Sequence, residues 1–475
     1  MEADSGLGLI SLIPLVLALI SAFITRSAIF SLLAGCLAGV LMIGYSAGNS
    51  IVFNPIYGFS DLIQQSLGGG EFIWIALIVV SIGILFELFK TAGVISKFAD
   101  VVSGRCKTPV QVKTTTWLMG IVIVDDYFSP LMTGPIMRPL SDKALVSREK
   151  LAFILDSTTA SICVLVPFMS WGAYIAGLIV KEGGPVNDID TAISLFANAI
   201  PYNVYPIFLI LFALCICLEK IPDFGPMKKA ETRASTEGKV LRDGAVPMVS
   251  EEDDLFKQSV NGASLLLELM VPIVIIFSTV GISYFVFSNM KIAEAFMSAV
   301  FYLALVLFIR GRISTANELV DIGLRGLRSV MPAVVLMALA YCMNTITKDL
   351  GAAQYIMSIS DGYMTPALFV AVTFFITATI SFSTGTSWGA YALMIPFVLP
   401  IAYGFTGGIA EDPTVYKAIA AVVGGGIFGD HASPVSDTSV LSSVGAGSDH
   451  MDHVLTQVPY ALLMGSFSVL FYLLV

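Results

Sequence analysis

Long apolar segments separated by short polar ones run along the whole chain, and several of them reach 18 residues or more. A helix needs about 20 apolar residues to cross the hydrocarbon core of a bilayer. The segments do not divide into ten-residue blocks of alternating polarity, the pattern of an outer-membrane barrel. The sequence therefore predicts an all-α polytopic membrane protein, with spans at 7–25, 28–45, 72–89, 151–180, 191–218, 263–288, 291–310, 329–348, 415–445 and 454–475.

Three regions depart from this apolar pattern. Segments 114–140 and 365–404 are apolar at both ends but polar in the middle. Residues 219–262 are rich in charge, proline and glycine, which is typical of a solvent-exposed linker. This linker divides the chain near its midpoint into residues 1–218 and 263–475.

The basic residues predict the orientation, because cytoplasmic loops carry an excess of Lys and Arg. Most of the 25 Lys and Arg residues lie at Arg26 and in loops 90–113, 141–150, 219–262 and 310–328. Assigning these positions to the cytoplasm makes 219–262 a cytoplasmic linker and places both termini outside the cytoplasmic membrane.

The segment between two of these basic loops must enter and leave the membrane on the same side. We therefore interpret 114–140 as a re-entrant hairpin, with VDDYFSPLMTG as its tip. Irregular backbone at membrane depth is tolerated only where protein or a wet cavity satisfies its polar groups. Segment 365–404 is followed by the acidic GFTGGIAEDP, which predicts a second hairpin that opens to the outside.

The two halves of the chain are predicted to be inverted repeats. Each has about five spans and one hairpin, and one span in each half has a polar centre, at 151–180 and at 415–445. We interpret these two spans as broken helices. In transporters built from inverted repeats, the binding site lies near the midplane, where such breaks meet. The motif SWGAY, at 170–174 and 387–391, does not occupy equivalent positions in this scheme.

The second broken helix contains GDHASPVSDT, in which Asp430 and Asp437 flank Ser433 and Pro434. Proline removes a backbone donor and disrupts the helical turn before it, and the glycines at 424–426 also favour a break. A charged side chain at membrane depth costs roughly 2.5–3.5 kcal/mol even on the lenient insertion scale, which indicates a function. The alternative is a short hydrophilic loop in which both aspartates are solvated.

The first broken helix contains DSTTAS at 156–161, in which one carboxylate is followed by four hydroxyl groups. Hard cations prefer oxygen ligands, so Asp156, Ser157 and Thr158 suit Na⁺ better than a thiolate-seeking metal. An alternative, which can coexist with the first, is that Asp156 caps the start of a helix.

The tip of the first hairpin holds two adjacent carboxylates, Asp125 and Asp126. Two neighbouring carboxylates in a low dielectric do not both ionise readily, so one is expected to keep its proton, which suits proton coupling. Neutralisation of one carboxylate by Arg138 is the alternative. The tip of the second hairpin is uncharged and offers hydroxyl groups, which belong to Thr384, Thr386 and Ser387.

The remaining composition argues against several other classes of protein. The chain has a net charge of −10 and no basic stripe, which argues against binding to nucleic acid. The six cysteines show no spacing with histidine that is typical of a metal site. No serine or cysteine stands at a usable spacing from His431 for nucleophilic catalysis, so we expect no enzyme and no cofactor. The first apolar segment lacks a basic n-region, and we interpret it as a retained span.

Three stretches of this sequence resemble the NhaC-type Na⁺/H⁺ antiporters of the ion transporter superfamily. They are DDYFSPLMTGPIMRPLSDKALVSREKLAFILDSTTAS, ISFSTGTSWGAYALMIP and GDHASPVSDTSVLSSVGAGSDHMDHV. The resemblance implies secondary active transport coupled to Na⁺ or H⁺, in a fold with inverted repeats, two hairpins and two broken helices. Ala432 is a departure, because members of that family often have cysteine there. The family also includes chains that resemble amino-acid or carboxylate carriers.

We favour Na⁺/H⁺ antiport by alternating access, in which shared carboxylates carry Na⁺ and protons in turn. The predicted ion or substrate ligands are Asp126, Asp156, Ser157, Thr158, Thr384, Thr386, Ser387, Asp430, Ser433 and Asp437. Asp156 and Asp430 are the predicted Na⁺ ligands, and the predicted proton-coupling groups are Asp125, Asp126, Asp156 and Asp430.

Two other functions remain open at this point. One is Na⁺-coupled transport of a small organic solute such as an amino acid or carboxylate, with the aromatic residues of the SWGAY motifs lining its pocket. The other is a channel or a membrane-embedded enzyme. Spans 28–45 and 291–310 contain few polar side chains that need a partner, which suits a static scaffold or the contact of a homodimer.

Overall fold

The computed structural model describes residues 8–25, 28–46, 55–68, 70–94, 97, 108–124, 126, 128–247, 262–287, 291–351, 365–434 and 436–475. The secondary-structure elements in these ranges are helices, with no strand among them. The first group of α-helices comprises α1 (Ile13–Thr25), α2 (Ala28–Ser46), α3 (Pro55–Leu67), α4 (Gly70–Ala92), α5 (Pro109–Val122), α6 (Phe128–Lys143), α7 (Arg148–Cys163), α8 (Ser170–Glu182), α9 (Ile189–Ala199), α10 (Val204–Cys217) and α11 (Gly225–Glu237).

The second group follows the linker. It comprises α12 (Val271–Phe287), α13 (Ile292–Ile309), α14 (Ala316–Asp349), α15 (Pro366–Thr384), α16 (Ser387–Phe405), α17 (Pro413–Ala432), α18 (Asp437–Ala446) and α19 (His450–Leu474). Short 3₁₀-helices occupy Gly8–Leu12 and Ile200–Tyr202, and a π-helical turn at Leu266–Met270 precedes α12.

Six helices of the described residues are long and apolar enough to cross a membrane, and a bent pair of helices is a seventh candidate span. The six are Phe72–Ala92, Leu266–Ser283, Ile292–Ile309, Pro366–Thr384, Ser387–Phe405 and His450–Leu474. The predicted all-α polytopic fold is confirmed. The set differs from the predicted spans in two ways. The polar-centred segments divide into shorter helices, and segment 365–404, predicted as a re-entrant hairpin, forms two helices that are each long enough to cross.

The bent pair consists of Ile189–Tyr202 and Val204–Cys217, which meet at 51°. Pro206 has no N–H, so the carbonyl of Tyr202 loses its usual helical partner. The Tyr472 hydroxyl donates to that carbonyl at 2.9 Å. The bend therefore leaves this freed acceptor satisfied inside the bundle.

Segment 114–140 forms the helix pair α5 and α6, whose outer ends both lie beside the linker. Lys113 on α5 pairs with Glu219 at 2.9 Å, and Asp142 on α6 pairs with Arg148 at 3.0 Å. We call the end of the bundle where residues 219–247 lie the linker face. The first helix pair thus opens toward the linker face.

Segment 365–404 forms the helix pair α15 and α16, which opens the other way. The rings of Phe369 and Phe405, at the outer ends of the two helices, are 5.4 Å apart. α15 runs parallel to α17, which begins beside the end of the chain, where Lys417 donates to the Val475 carbonyl at 2.6 Å. We call this end of the bundle the C-terminal face. The two helix pairs therefore open toward opposite ends of the bundle, and the inverted repeat stays a prediction.

Glycines allow α15 and α17 to pack backbone against backbone. A Cβ added at Gly425 would overlap the Phe374 carbonyl, and one added at Gly429 would overlap backbone atoms of α15. Small residues at helix contacts are the usual route to close packing in membranes. The interpretation of glycines 424–426 as part of a helix break was wrong, because α17 continues through them to Ala432.

The break in the second polar-centred segment lies at 433–436, around Pro434, where α17 gives way to α18. The first polar-centred segment breaks at 164–169, around Pro167, between α7 and α8. Asp156 lies inside α7, so it does not cap a helix. That cap is Ser147, whose side chain accepts from the Lys150 N–H.

The linker is more ordered than its composition predicts. Helix α11 buries Met227, Ala230 and Ala234 against the bundle, and the neighbouring residues bind two other helices. Asp223 accepts hydrogen bonds from Lys150 on α7 and from Tyr460 on α19. The linker thereby fastens the start of α7 to α19, although its assignment to the cytoplasm stays a prediction.

We expect Gly134→Ala to destabilise the fold, because α6 and α18 touch through bare backbone. The added methyl group would overlap the backbone of Gly445, and strain of this kind costs about 1–3 kcal/mol. Gly323→Ala is the matched control, since its Cβ would meet nothing within 4 Å and alanine is the better helix former. Unfolding of the purified proteins in detergent measures both, and equal melting temperatures would contradict the close contact.

The stability of the cap at the start of α19 should depend on pH. Burial raises the pKa of Asp449, but backbone N–H groups of Val246, Asp452 and Met451 and the charge of Arg242 outweigh it and hold that pKa below its ordinary value. A depressed carboxyl pKa contributes stability above the unfolded value near 4, and this is lost as pH falls through the folded pKa.

Asp449→Ala should therefore lower the free energy of unfolding by about 1 kcal/mol at pH 7. The difference from the parent protein should shrink as the pH falls below about 4. Asp243→Ala, which removes an exposed ion pair with Lys239, serves as the control and should change stability little. A difference that stays constant between pH 8 and pH 3 would refute the role of the ionised cap.

Candidate functional site

The carboxylate of Asp156 is the centre of a buried polar cluster. Its Oδ2 atom accepts from the Ser439 hydroxyl at 2.8 Å and from the Gln457 amide at 2.7 Å, and His453 Nε2 lies 3.3 Å away. All four residues are at most 2% exposed. The other oxygen, Oδ1, has no hydrogen-bond partner among the described residues. One side of the carboxylate is thus fully bonded, and the other carries a buried oxygen without a partner among the described residues.

Helix α19 supplies two of these partners from one face. His453 and Gln457 are four residues apart, so their side chains project from adjacent turns toward α7. The Gln457 amide also donates to the carbonyl of His431, at the end of α17. A single glutamine therefore ties the Asp156 carboxylate to the helix break at 433–436.

His431 makes a second connection between the two broken helices. Its Nε2 lies 3.2 Å from the Ser157 hydroxyl, and its Nδ1 lies 3.1 Å from the Tyr205 hydroxyl. The imidazole is buried, with both nitrogens bonded. The DSTTAS and GDHASP motifs therefore meet directly, as predicted from the two polar centres.

Asp430 is surrounded by hydroxyl groups. Its Oδ2 accepts from Ser387 at 2.6 Å, and its Oδ1 accepts from Ser436 and from Thr438, the latter at 3.2 Å. Ser387 begins α16, so the tip of the second hairpin lies against the break between α17 and α18. Asp430 and Asp156 belong to one hydrogen-bonded cluster: Ser436 donates to Asp430 and accepts from the Ser439 N–H, and the Ser439 hydroxyl donates to Asp156.

Asp126 brings the first hairpin tip to the same region. It is 3% exposed, and its Oδ2 accepts from the indole N–H of Trp388 at 3.2 Å. Trp388 directly follows Ser387 and so belongs to the tip of the second hairpin. The tips of the two hairpins therefore contact each other.

The two SWGAY motifs meet face to face. Each motif lies at the start of a helix, α8 at Ser170 and α16 at Ser387. The ring centroids of Trp171 and Trp388 are 4.5 Å apart, and the Tyr174 hydroxyl donates to the Trp388 carbonyl at 3.0 Å. The two SWGAY motifs do not occupy equivalent positions of the predicted repeat. They form the contact between α8 and α16, which start side by side.

Several predicted ligands bond to backbone in this structure. Thr158 donates to the Ile154 carbonyl at 2.8 Å, Thr384 to Ile380 at 2.9 Å and Ser433 to Phe382 at 2.7 Å. Thr386 holds the position before the first residue of α16 and is half-buried. Asp437 begins α18, and its side chain lies outside the described residues, as does Asp125. Their assignment as ligands stays a prediction.

Eight contributors to the cluster were not among the predicted site residues: Tyr205, Trp388, His431, Ser436, Thr438, Ser439, His453 and Gln457. The hydropathy pattern starts the last span at 454 and leaves His453 in a loop, whereas α19 begins at His450. The spacing of His453 and Gln457 on one helical face was a usable signal. Tyr205 lies in an apolar helix, where nothing in the local sequence distinguishes it from a packing residue.

Four buried hydroxyl groups without a partner in the described part of the chain lie on three helices near the site. They belong to Ser129 and Thr133 on α6, Ser161 on α7 and Ser442 on α18. Buried polar atoms are normally bonded to protein, water or an ion. Among the residues described, no three His, Cys, Asp or Glu side chains lie close enough together to hold a metal ion. The oxygen ligands that these residues offer a cation are therefore single carboxylates and hydroxyl groups.

We expect Gln457→Leu to destabilise the protein, because it leaves the Asp156 carboxylate and the His431 carbonyl each short of a donor. Loss of a buried hydrogen bond to a charged group costs about 1.5–3 kcal/mol. Gln65→Leu, at an exposed position of α3, is the control and should change little. Thermal unfolding in detergent measures the difference, and equal stability of the two variants would show that the amide is dispensable.

Comparison with known proteins gives a consistent assignment. Residues 162–475 match the sequence model of the Na⁺/H⁺ antiporter family. An uncharacterized protein of Haemophilus influenzae is 30% identical over 495 residues, which covers 98% of this chain and 90% of that protein. An uncharacterized Na⁺/H⁺ antiporter of the same bacterium is 27% identical over 209 residues, or 43% of each chain.

More distant likenesses are also to transporters. The arginine/ornithine antiporter ArcD of Halobacterium salinarum is 27% identical over 140 residues, which is 30% of this chain and 28% of ArcD. The YdaH transporter of Alcanivorax borkumensis superposes with a TM-score of 0.54 at 12% identity, covering 87% of this chain and 88% of that one. This last likeness concerns the fold. From the match over 162–475 and the relative that spans nearly the whole chain, we conclude that this multi-pass membrane protein belongs to the Na⁺/H⁺ antiporter family.

Proposed function

We propose that the protein exchanges Na⁺ for protons at Asp156. One observation carries this proposal: one oxygen of the buried carboxylate lies 3.3 Å from the His453 imidazole, and the other has no hydrogen-bond partner among the described residues. A hard cation prefers such an oxygen, and the hydroxyl-rich surroundings offer further oxygen ligands. Na⁺ is the transported ion in this interpretation, and no cofactor takes part.

The proton would be held by the pair formed by Asp156 and His453. A protonated imidazole beside Oδ2 neutralises the carboxylate and weakens its attraction for a cation at Oδ1. A cation at Oδ1 in turn disfavours the imidazolium, so the two ions compete for one carboxylate. His431 also faces this charge, but both of its nitrogens are bonded to hydroxyl groups. Competition of this kind couples Na⁺ movement in one direction to proton movement in the other.

The other acidic groups have supporting parts in the proposal. Asp430 accepts three hydroxyl donors and would contribute its charge, and a ligand when those hydroxyl groups rearrange. Asp126 would link the first hairpin tip to Trp388 during the cycle. Asp125 and Asp437 remain candidates from the sequence.

Alternating access would move the hairpin tips and the helices that flank the two breaks relative to the outer spans. Two contacts support this: the second tip bonds to the break between α17 and α18, and Asp126 of the first tip bonds to Trp388 of the second. A small displacement there would change which face reaches the carboxylates. The orientation with both termini outside, a location in the cytoplasmic membrane and a homodimer are parts of this proposal that derive from the charge and span pattern.

Proteoliposomes with an inward Na⁺ gradient test the exchange directly. We expect Asp156→Asn to lower Na⁺-driven alkalinisation of an acidic lumen at least about tenfold, since the amide can neither titrate nor bind Na⁺ as an anion. His453→Gln should retain a donor to Oδ2 while losing the pH dependence of Na⁺ affinity. Asp61→Asn, on the exposed face of α3, is the matched control and should behave as the parent protein.

The variants must first show parental elution and melting behaviour in detergent, so that lost exchange is not lost folding. Parental exchange rates in Asp156→Asn would rule out this carboxylate as the shared site. An unchanged pH profile in His453→Gln would remove the histidine from the mechanism and leave the carboxylate alone to titrate.

A second candidate function is Na⁺-coupled transport of an organic solute. The aromatic contact between Trp171 and Trp388 favours it, because the buried indole N–H of Trp171 has no partner and could bind a carboxylate. The name of the partial relative ArcD supports the same class of cargo. Na⁺-stimulated uptake of a labelled amino acid, without alkalinisation by Na⁺ alone, would favour this function over antiport.

A further inference from the structure

A cavity lies at the C-terminal face, away from the polar cluster around Asp156. It has a volume of about 590 Å³, within the range of small-molecule sites. The ends of three helices meet there: α8 at Glu182, α14 near Lys348 and α16 near Tyr403. α8 begins at the central tryptophan contact and rises 1.5 Å per residue, so this cavity is about 18 Å along the helix from that contact.

Glu182 is a buried carboxylate that faces this cavity. The side chain is 6% exposed, and the Asn344 amide donates to its Oε2 atom. Its Oε1 has no hydrogen-bond partner among the described residues. The Asn344 contact fixes the carboxylate, while the free oxygen remains available to a donor in the cavity.

Lys348 places the opposite charge on the same cavity. Its ammonium donates to the Lys181 carbonyl, which uses one of three N–H groups. Glu182 and Lys348 attract each other electrostatically, yet they form no ion pair within 4 Å in the described part of the chain. The cavity therefore separates a carboxylate from an ammonium group, and each keeps unused hydrogen-bonding capacity.

Tyr403 and a glycine wall complete the cavity. The Tyr403 hydroxyl is buried, has no hydrogen-bond partner among the described residues and lies within electrostatic range of Glu182. Gly183 and Gly184 have φ values of 72° and 74°, where residues with a Cβ are strained. A Cβ at Gly183 would lie 3.2 Å from Lys348 Nζ, so the bare backbone keeps the ammonium accessible.

We propose that this cavity binds a small zwitterionic α-amino acid. Its ammonium group would donate to Glu182 Oε1 and the Tyr403 hydroxyl, and its carboxylate would accept from Lys348. A simple cation is disfavoured because Lys348 repels it. A simple anion is disfavoured by Glu182 and by the negative ends of three helices. The proposal does not depend on Na⁺/H⁺ exchange at Asp156.

Isothermal titration of the purified full-length protein tests this with defined probes. Glycine, L-alanine and L-leucine serve as zwitterions, methylammonium as the cation alone and acetate as the anion alone. We expect at least one amino acid to bind tenfold or more tighter than methylammonium and acetate. Glu182→Gln and Lys348→Met should each weaken that binding at least tenfold, and Glu182→Asp should recover part of it.

Glu411→Gln and Lys291→Met, both at exposed positions, are the matched controls and should bind as the parent does. Melting curves establish that each variant is folded. Absence of binding for all three amino acids, equal binding of methylammonium or acetate, or parental affinity in Glu182→Gln would each overturn the proposal. Amino-acid binding that persists in Asp156→Asn, while exchange is lost, would separate this site from the central one.

Discussion

A carboxylate removed from water must obtain its stabilisation from donors that the protein itself holds in place. Asp156 is buried on α7, and its donors come from α18 and α19. Three separate helices must therefore converge on one oxygen atom. The second buried carboxylate of the cluster, Asp430, imposes the same demand on α16 and α18. Much of the architecture around the site follows from satisfying these two side chains.

Backbone carbonyl groups removed from water also need donors, and buried tyrosines supply several of them. The hydroxyls of Tyr174, Tyr341, Tyr391 and Tyr472 each donate to a backbone carbonyl on another helix, at 2.9–3.0 Å. In a lipid environment no water is present to accept or donate these bonds. Each tyrosine thus joins two helices by a polar contact and packs its ring between them. This explains why a chain with interrupted helices can still be densely packed.

The sequence predicts the helical membrane fold and the meeting of its two polar motifs, because hydropathy and helix breakers are local signals. Pro434 marks the second break correctly, whereas the glycines at 424–426 are ambiguous, since glycine serves both breaks and close packing. Asp126, Asp156 and Asp430 are predicted because buried charge is rare in membranes.

Partners that come from distant parts of the chain were beyond the reach of those local signals. Gln457 is an ordinary polar residue of a span until the fold places it between Asp156 and His431. The contact of Trp171 with Trp388 likewise arises because α8 and α16 begin side by side. The order in the linker was missed for a similar reason: Asp223 is one charge among many in the sequence, and only the fold pairs it with Lys150 and Tyr460.

That linker contact constrains how the protein can change shape. Asp223 holds α7 to α19, and Arg233 with Glu149 and Arg242 with Asp452 reinforce the same junction. The two helices that hold the Asp156 carboxylate and its imidazole partner are thus joined through the linker by three ion pairs. A displacement of the hairpins relative to this junction would leave its three ion pairs intact.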